Sequence, residues 1–272
     1  MLRLDFYRVF HRKRLYFLLP VTLICCYLAY AEARRGGAIP ENVRYWFPVA
    51  GAWSYWPPML GGTPVLVFNI LSCVLVALPS CDLFWEDRKS RLSIPLYQQI
   101  SKRKIAASHF AVAFCAGFLL VLIPLVAQIL CVFAKTPILP ISKHYIPSIA
   151  GASYMMFPEL YVFSPLLYVI FTVVRCSVFG GVVACAALSV NYWLGGAYAG
   201  LVVPYFFLTV SEIICGRIIG MFTLKNTSFP NLSSQFPIGY FSMNMATLFE
   251  LAIWLLFCVG TLLHASRERE LL

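Results

Sequence analysis

Eleven carboxylates, ten cysteines and four histidines are the groups in this sequence able to do acid–base, redox or metal chemistry. Their spacing favours none of the three. The cysteines lie within apolar segments or at their borders, from Cys25 and Cys26 to Cys258, and the polar stretches hold essentially none. That pattern implies packing thiols rather than a disulfide framework. His11, His109, His144 and His264 are far apart, and none stands at metal-ligand spacing from a cysteine. No GxxxxGK[ST] phosphate loop, GxSxG elbow or HExxH zinc motif occurs. The expectation is a chain that is not an enzyme and carries no catalytic residue, cofactor or metal of its own.

Polar groups inside apolar runs are the remaining chemical signal. A charge there is costly and marks function by default. Glu212 is such a residue, and with the amides Asn69 and Gln128 it is a candidate polar position on a translocation path. Each has a plainer role: an ion pair of Glu212 with Arg217, and interhelical hydrogen bonds for the two amides. Glu250 reads as an interfacial residue at the entrance of the last apolar run.

The elements that must position these groups follow from composition. The 272 residues are 61% hydrophobic and 12% charged, with a mean hydropathy of +0.80. A soluble domain of this length needs more charge to cover its surface, so the solvent for most of the chain is lipid. The formal charge of +10 sits in short clusters between apolar runs. It therefore reads as a topology signal beside an anionic membrane surface, not as a nucleic-acid-binding face. We expect an all-α polytopic membrane protein, a single transmembrane domain over residues 1–272. About six spans are expected, at 15–31, 64–81, 106–134, 177–194, 197–216 and 246–264. The basic flank of the first span resembles a signal-peptide start, but no small-residue cleavage site follows, so the span reads as uncleaved.

Residues 160–220 are apolar with Arg175 near the middle, and two layouts fit. In the first, 160–174 is an outer interfacial or re-entrant helix, followed by two spans that turn near Asn191-Tyr192-Trp193. In the second, 160–174 spans the membrane, 177–194 returns, and 197–216 is re-entrant. The first is preferred because 160–174 is short for a span and holds Pro165. On that layout residues 1–14, 82–105 and 265–272 share one side and carry 13 Lys and Arg in 46 residues, against 8 in 103 on the other. The positive-inside rule then makes both termini cytoplasmic. Outer-loop sequons at Asn226 and Asn231 match by chance as easily as by design.

Two segments outside the spans are patterned. Residues 1–14 place Leu2, Phe6, Val9 and Phe10 at helical spacing, with Arg3, Arg8, Arg12 and Lys13 around the remaining arc. This describes an amphipathic interfacial helix, its apolar face sunk in the leaflet and its cations at the headgroups. Residues 82–105 begin acidic and end basic. Ser93 and Pro95 suit a helix start, after which Leu96 and Ile100 lie one turn apart with Leu92 leading in. A mere connector needs no apolar stripe, so this loop looks built to dock, on a partner protein or on the membrane surface.

In order, these parts resemble the membrane subunit of ABC exporters of the type-2 permease superfamily: a basic amphipathic helix, two spans, an acidic-to-basic loop and four further spans. Glu86-Asp87-Arg88 resembles the family's acidic loop start, and residues 100–105 (Ile-Ser-Lys-Arg-Lys-Ile) resemble its closing turn. Residues 188–192 through 203–206 resemble its small-residue span, turn and Pro-aromatic span. The chain departs from the family at Lys89-Ser90, where Gly-Thr is usual, at Gln99 in place of Pro, and at His109 in place of a common Lys.

The resemblance implies a cytoplasmic coupling helix between spans two and three. Glu86, Arg91, Leu92, Leu96, Tyr97, Ile100 and Lys102 would meet a separate cytoplasmic ABC ATPase subunit, which binds the ATP and Mg. It further implies pairing with a second permease copy or a homologous permease, a multi-pass place in a cell (plasma) membrane, and a bacterial source. The alternative is an ATP-independent secondary transporter or a non-transporting membrane scaffold. Against the former, the sequence shows no clear repeat of its halves and few buried charges.

Overall fold

A computed structural model describes residues 2–36, 74–89, 101–135, 138, 160, 163–195, 199–203, 206 and 245–267. Among these residues all regular structure is helical and no strand occurs. The helices are α1 (Leu2–Phe10), α2 (Lys13–Gly36), α3 (Leu83–Lys89), α4 (Lys102–Lys135), α5 (Pro165–Leu194) and α6 (Met245–Arg267). Two are long and apolar enough to cross a membrane: Arg103–Lys135 within α4, and α5. A shorter apolar stretch, Ala252–Ala265, lies in α6. This is consistent with a membrane protein.

The bundle is organised around the α4–α5 pair, its most extensive helix contact. The two run antiparallel: Phe110 of α4 meets Cys185, whereas Gly117 meets Gly180. They cross on small residues. A Cβ added to Gly117 would lie 2.6 Å from the Gly180 carbonyl oxygen and 2.7 Å from the Ala184 Cβ, so only glycine permits this backbone approach. Ala113, Ala116 and Ala184 flank the crossing, fully buried. Large apolar side chains face outward instead, among them Phe17, Leu130, Leu166 and Leu256, each half or more exposed. A bundle with small residues inside and Leu, Ile and Phe outside suits lipid as its surroundings.

α5 differs from both layouts expected for residues 160–194. A break near Arg175 was common to them, yet one unbroken helix runs through it from Pro165 to Leu194. Pro165 occupies the first helical turn, where its missing N–H costs nothing, after Ser164 in an extended conformation. The polar side chains do not interrupt the ladder either. Thr172 and Ser177 donate their hydroxyls to the carbonyls of Tyr168 and Val173, one turn back. The helix stops at Gly195, whose φ of 66° is left-handed and whose N–H caps the Asn191 carbonyl at 3.0 Å.

α2, α4 and α6 cover the expected 15–31, 106–134 and 246–264, each extending beyond them. Of 64–81 only 74–81 is described, helical over 74–77 and then turning into α3. Of 197–216 the described residues are 199–203 and 206, all helical.

Candidate functional site

α1 is the helix expected from the periodicity, and Arg3 and Lys13 are exposed, but Arg8 and Arg12 do not sit where the pattern placed them. Asp5, Arg8 and Arg12 recur at three- and four-residue spacing and so share one face. That face, with fully buried Val9, turns into the protein. Arg8 and Arg12 are not free for headgroups because Asp82, Glu86 and Asp87, at the start of the 82–105 loop, meet them. Arg8 Nη1 lies 2.8 Å from Asp87 Oδ1, and Nη2 donates to Glu86 Oε2 at 3.2 Å. Arg12 pairs with Asp82, donates to Glu86 Oε2 at 2.5 Å and to the Pro79 carbonyl at 2.9 Å. Arg14, at the start of α2, donates to the second Asp82 oxygen at 2.9 Å.

The N-terminal turns of α4 complete the junction. Ser108 Oγ donates to Asp5 Oδ2 at 2.5 Å. His109 is buried between two carboxylates, with Nδ1 3.4 Å from Asp5 Oδ2 and Nε2 2.9 Å from Asp87 Oδ2. The edge of Phe84 packs on its ring at a centroid distance of 4.9 Å. Three segments distant in sequence are thus joined by charge: α1 with the start of α2, residues 82–87, and the first turns of α4.

Burial shapes the electrostatics, and the ion pairs outweigh it. Desolvation works against the Arg8 cation, yet Asp87, then Glu86 and Asp5, hold its pKa above the ordinary value. Desolvation likewise opposes the Asp87 carboxylate, and the proximity of His109, then of Arg8, pulls its pKa below the ordinary value.

The junction continues into the C-terminal ends of α5 and α6. Phe84 also packs edge-on against Tyr192 at 5.2 Å. Tyr192 Oη lies 3.4 Å from His264 Nδ1, and Trp193 Nε1 donates to Thr261 Oγ1 at 3.1 Å. Asn191 Nδ2 donates to the Cys81 carbonyl at 2.6 Å, and its side-chain oxygen accepts from the Gly200 N–H at 2.5 Å. Residues near both ends of the chain, Asp5 and His264, therefore sit at the same end of the bundle.

Of the site residues expected from sequence, Glu86 lies in this junction. Arg91, Leu92, Leu96, Tyr97 and Ile100 lie outside the described residues, as do Asn69 and Glu212. Lys102 opens α4. Gln128 is buried on α4, and among the described residues neither of its amide atoms has a hydrogen-bond partner. It is brought into no contact with Glu86. The six cysteines whose side chains are described, Cys81, Cys115, Cys131, Cys176, Cys185 and Cys258, are in no disulfide.

Asp5, Arg8, Arg12, Asp82, Asp87 and His109 were not singled out as a site by sequence reasoning. The signal available was the Asp5/Arg8/Arg12 spacing facing an acidic Asp82/Glu86/Asp87 cluster of matching period. Against known proteins, the chain matches no family model, no curated protein and no solved structure.

Proposed function

We propose that this chain is the permease subunit of an ATP-driven exporter, crossing the membrane about six times, with the ion-pair junction on the cytoplasmic side. The observation that carries the reading is that the start of the 82–105 loop is clamped to α1 and α4 by Arg8, Arg12 and His109. A connector that only joins two spans has no need of such anchorage. A lever that receives force from outside the membrane does, because a loose attachment would absorb the motion instead of passing it to α4 and α5. The Gly117–Gly180 crossing then makes α4 and α5 move as one body. The motor is a separate ATPase, docked on the 91–102 segment through Leu92, Leu96, Tyr97 and Ile100, with Arg91 and Lys102 at the rim. Polar groups such as Gln128 are candidates for the path itself.

Leu96→Asp or Ile100→Asp should abolish co-purification with an ATPase while the chain still inserts in the membrane. Normal ATPase recovery with both variants would refute the docking assignment. Failure to recover any ATPase with the unaltered chain would favour a scaffold or an ATP-independent transporter.

A further inference from the structure

We propose that the outward face of α1 is seated on an anionic phospholipid leaflet, with Leu2, Leu4 and Tyr7 at the acyl boundary and Arg3, Lys13, Arg103 and Lys104 at headgroup phosphates. This rests on the membrane reading of the long helices and is independent of the exporter function. The way α1 is turned points to such surroundings. Asp5, Arg8 and Val9 face into the protein, whereas Leu2, Leu4 and Tyr7 are exposed. A helix on a water-facing surface turns its charges outward and its leucines inward. In α1 the ion pairs are inside and the exposed side chains are largely apolar, which suits a helix lying in a membrane interface.

The depth of α1 agrees. Exposed apolar side chains run along one stripe of α2, through Tyr16, Phe17, Ile24, Tyr27 and Leu28, at helical spacing. Lys13 and Arg14, also exposed, stand within one turn before it. Cation, aromatic ring and aliphatic chain thus follow one another in the order of headgroup, interface and hydrocarbon. α1 ends at Phe10, three residues before Lys13, so its end stands no more than about 10 Å from that level. Asp5 ties α1 to Ser108, one helical turn beyond the exposed Arg103 and Lys104 of α4. Both attachments hold α1 where headgroups give way to acyl chains.

Charge selects the kind of lipid. Residues 1–14 and 82–105 carry 11 Lys and Arg against four carboxylates, and residues 265–272 add two of each. The cationic excess therefore holds however the ion pairs of the junction are drawn. Among the described residues Asp5, Asp82 and Asp87 are buried, whereas Arg3, Lys13, Lys89, Arg103 and Lys104 are exposed. A surface of this kind attracts anionic headgroups over zwitterionic ones. An acidic protein face would match the cations, but a leaflet presents anions and apolar chains at adjacent depths, as α1 requires.

The experiment uses the full chain in a cysteine-depleted background, reconstituted in mixed phosphatidylglycerol and phosphatidylcholine bilayers. A fluorescent probe is attached at Leu4→Cys, at Tyr7→Cys or, as a control for membrane insertion, at Leu130→Cys on an exposed apolar position of α4. The quencher is either lipid brominated on its acyl chains near the headgroup. All three probes should be quenched, and at positions 4 and 7 the phosphatidylglycerol should be preferred about threefold or more. Arg3→Gln, Lys13→Gln, Arg103→Gln and Lys104→Gln combined should bring that preference towards parity. Quenching at position 130 with none at 4 and 7 overturns the proposal, as does a lipid preference that is absent or survives the four substitutions in full. Cross-linking of Tyr7→Cys between copies in place of quenching gives the face to a second chain and overturns it too. No quenching at any of the three positions would instead refute the membrane reading itself.

Discussion

Asp5 is fully buried, accepts a hydrogen bond from Ser108 and faces His109 and Arg8. Removing one partner from a buried ionic group leaves the others desolvated and uncompensated. Asp5→Ala should therefore destabilise the folded chain by about 3 kcal/mol, read from its unfolding in detergent. Arg14 also pairs with Asp82, but its side chain is 53% exposed. Solvent screening limits Arg14→Ala to about 0.5 kcal/mol in the same assay. Asp87 gives the junction a pH signature. Its pKa is lowered in the fold, so its contribution is present above the ordinary carboxylate value of 3.8 and is lost as pH falls through the folded value. An acid unfolding series should show stability falling in the unaltered chain and a shallower fall in Asp87→Asn. Equal slopes in the two would mean that Asp87 is not held as an anion by His109 and Arg8.

Helix packing is decided by how closely backbones can approach. Gly117→Ala puts a methyl group 2.6 Å from a backbone oxygen of α5, which cannot swing aside. We expect a loss of about 2 kcal/mol, with α4 and α5 forced apart. Gly260 on α6 provides the contrast, because a Cβ there meets nothing within 4 Å among the described residues. Gly260→Ala should be neutral or stabilise by up to about 1 kcal/mol through helix propensity alone. Unfolding midpoints of the two variants, measured side by side, check this. A similar loss in both would mean that the crossing does not depend on small residues. At this scale the sequence was legible where periodicity and hydropathy act within one segment. α1 is helical as its spacing implied, and α4 encloses the expected 106–134. The continuity of α5 was less legible. Arg175 and Pro165 look like interruptions in a hydropathy reading, but Pro165 falls in the first turn and Thr172 and Ser177 bond back to their own helix.

At the level of the molecule, α1, α3, the first turns of α4 and the last turns of α5 and α6 meet at one end of the bundle. A membrane around the apolar helix faces then leaves that end wholly on one side. Single cysteines placed at the exposed positions Arg3 and Lys104, in a cysteine-depleted background, should both react with an impermeant thiol reagent from the same side. The proposed function adds that this side is the cytoplasm. Labelling of the two from opposite sides would contradict the arrangement of α1 on α4, whatever the chain transports.

Sequence alone determined the helical character and the apolar composition that is consistent with a membrane protein, because both arise from residue types and from neighbours within a few residues. One of the residues expected from sequence to meet a partner, Glu86, instead pairs with Arg8 and Arg12 inside the chain. Sequence could not pair Asp5 with Ser108 and His109, or Arg12 with Asp82 and Glu86. Those partners lie about 70 to 100 residues apart, so no local pattern could join them. Arg8 and Arg12 looked like headgroup ligands because the one anion on α1 itself is Asp5, too few to engage both. The tertiary structure supplied three carboxylates at shorter range, and a buried carboxylate in a low-dielectric site competes successfully with a screened lipid surface.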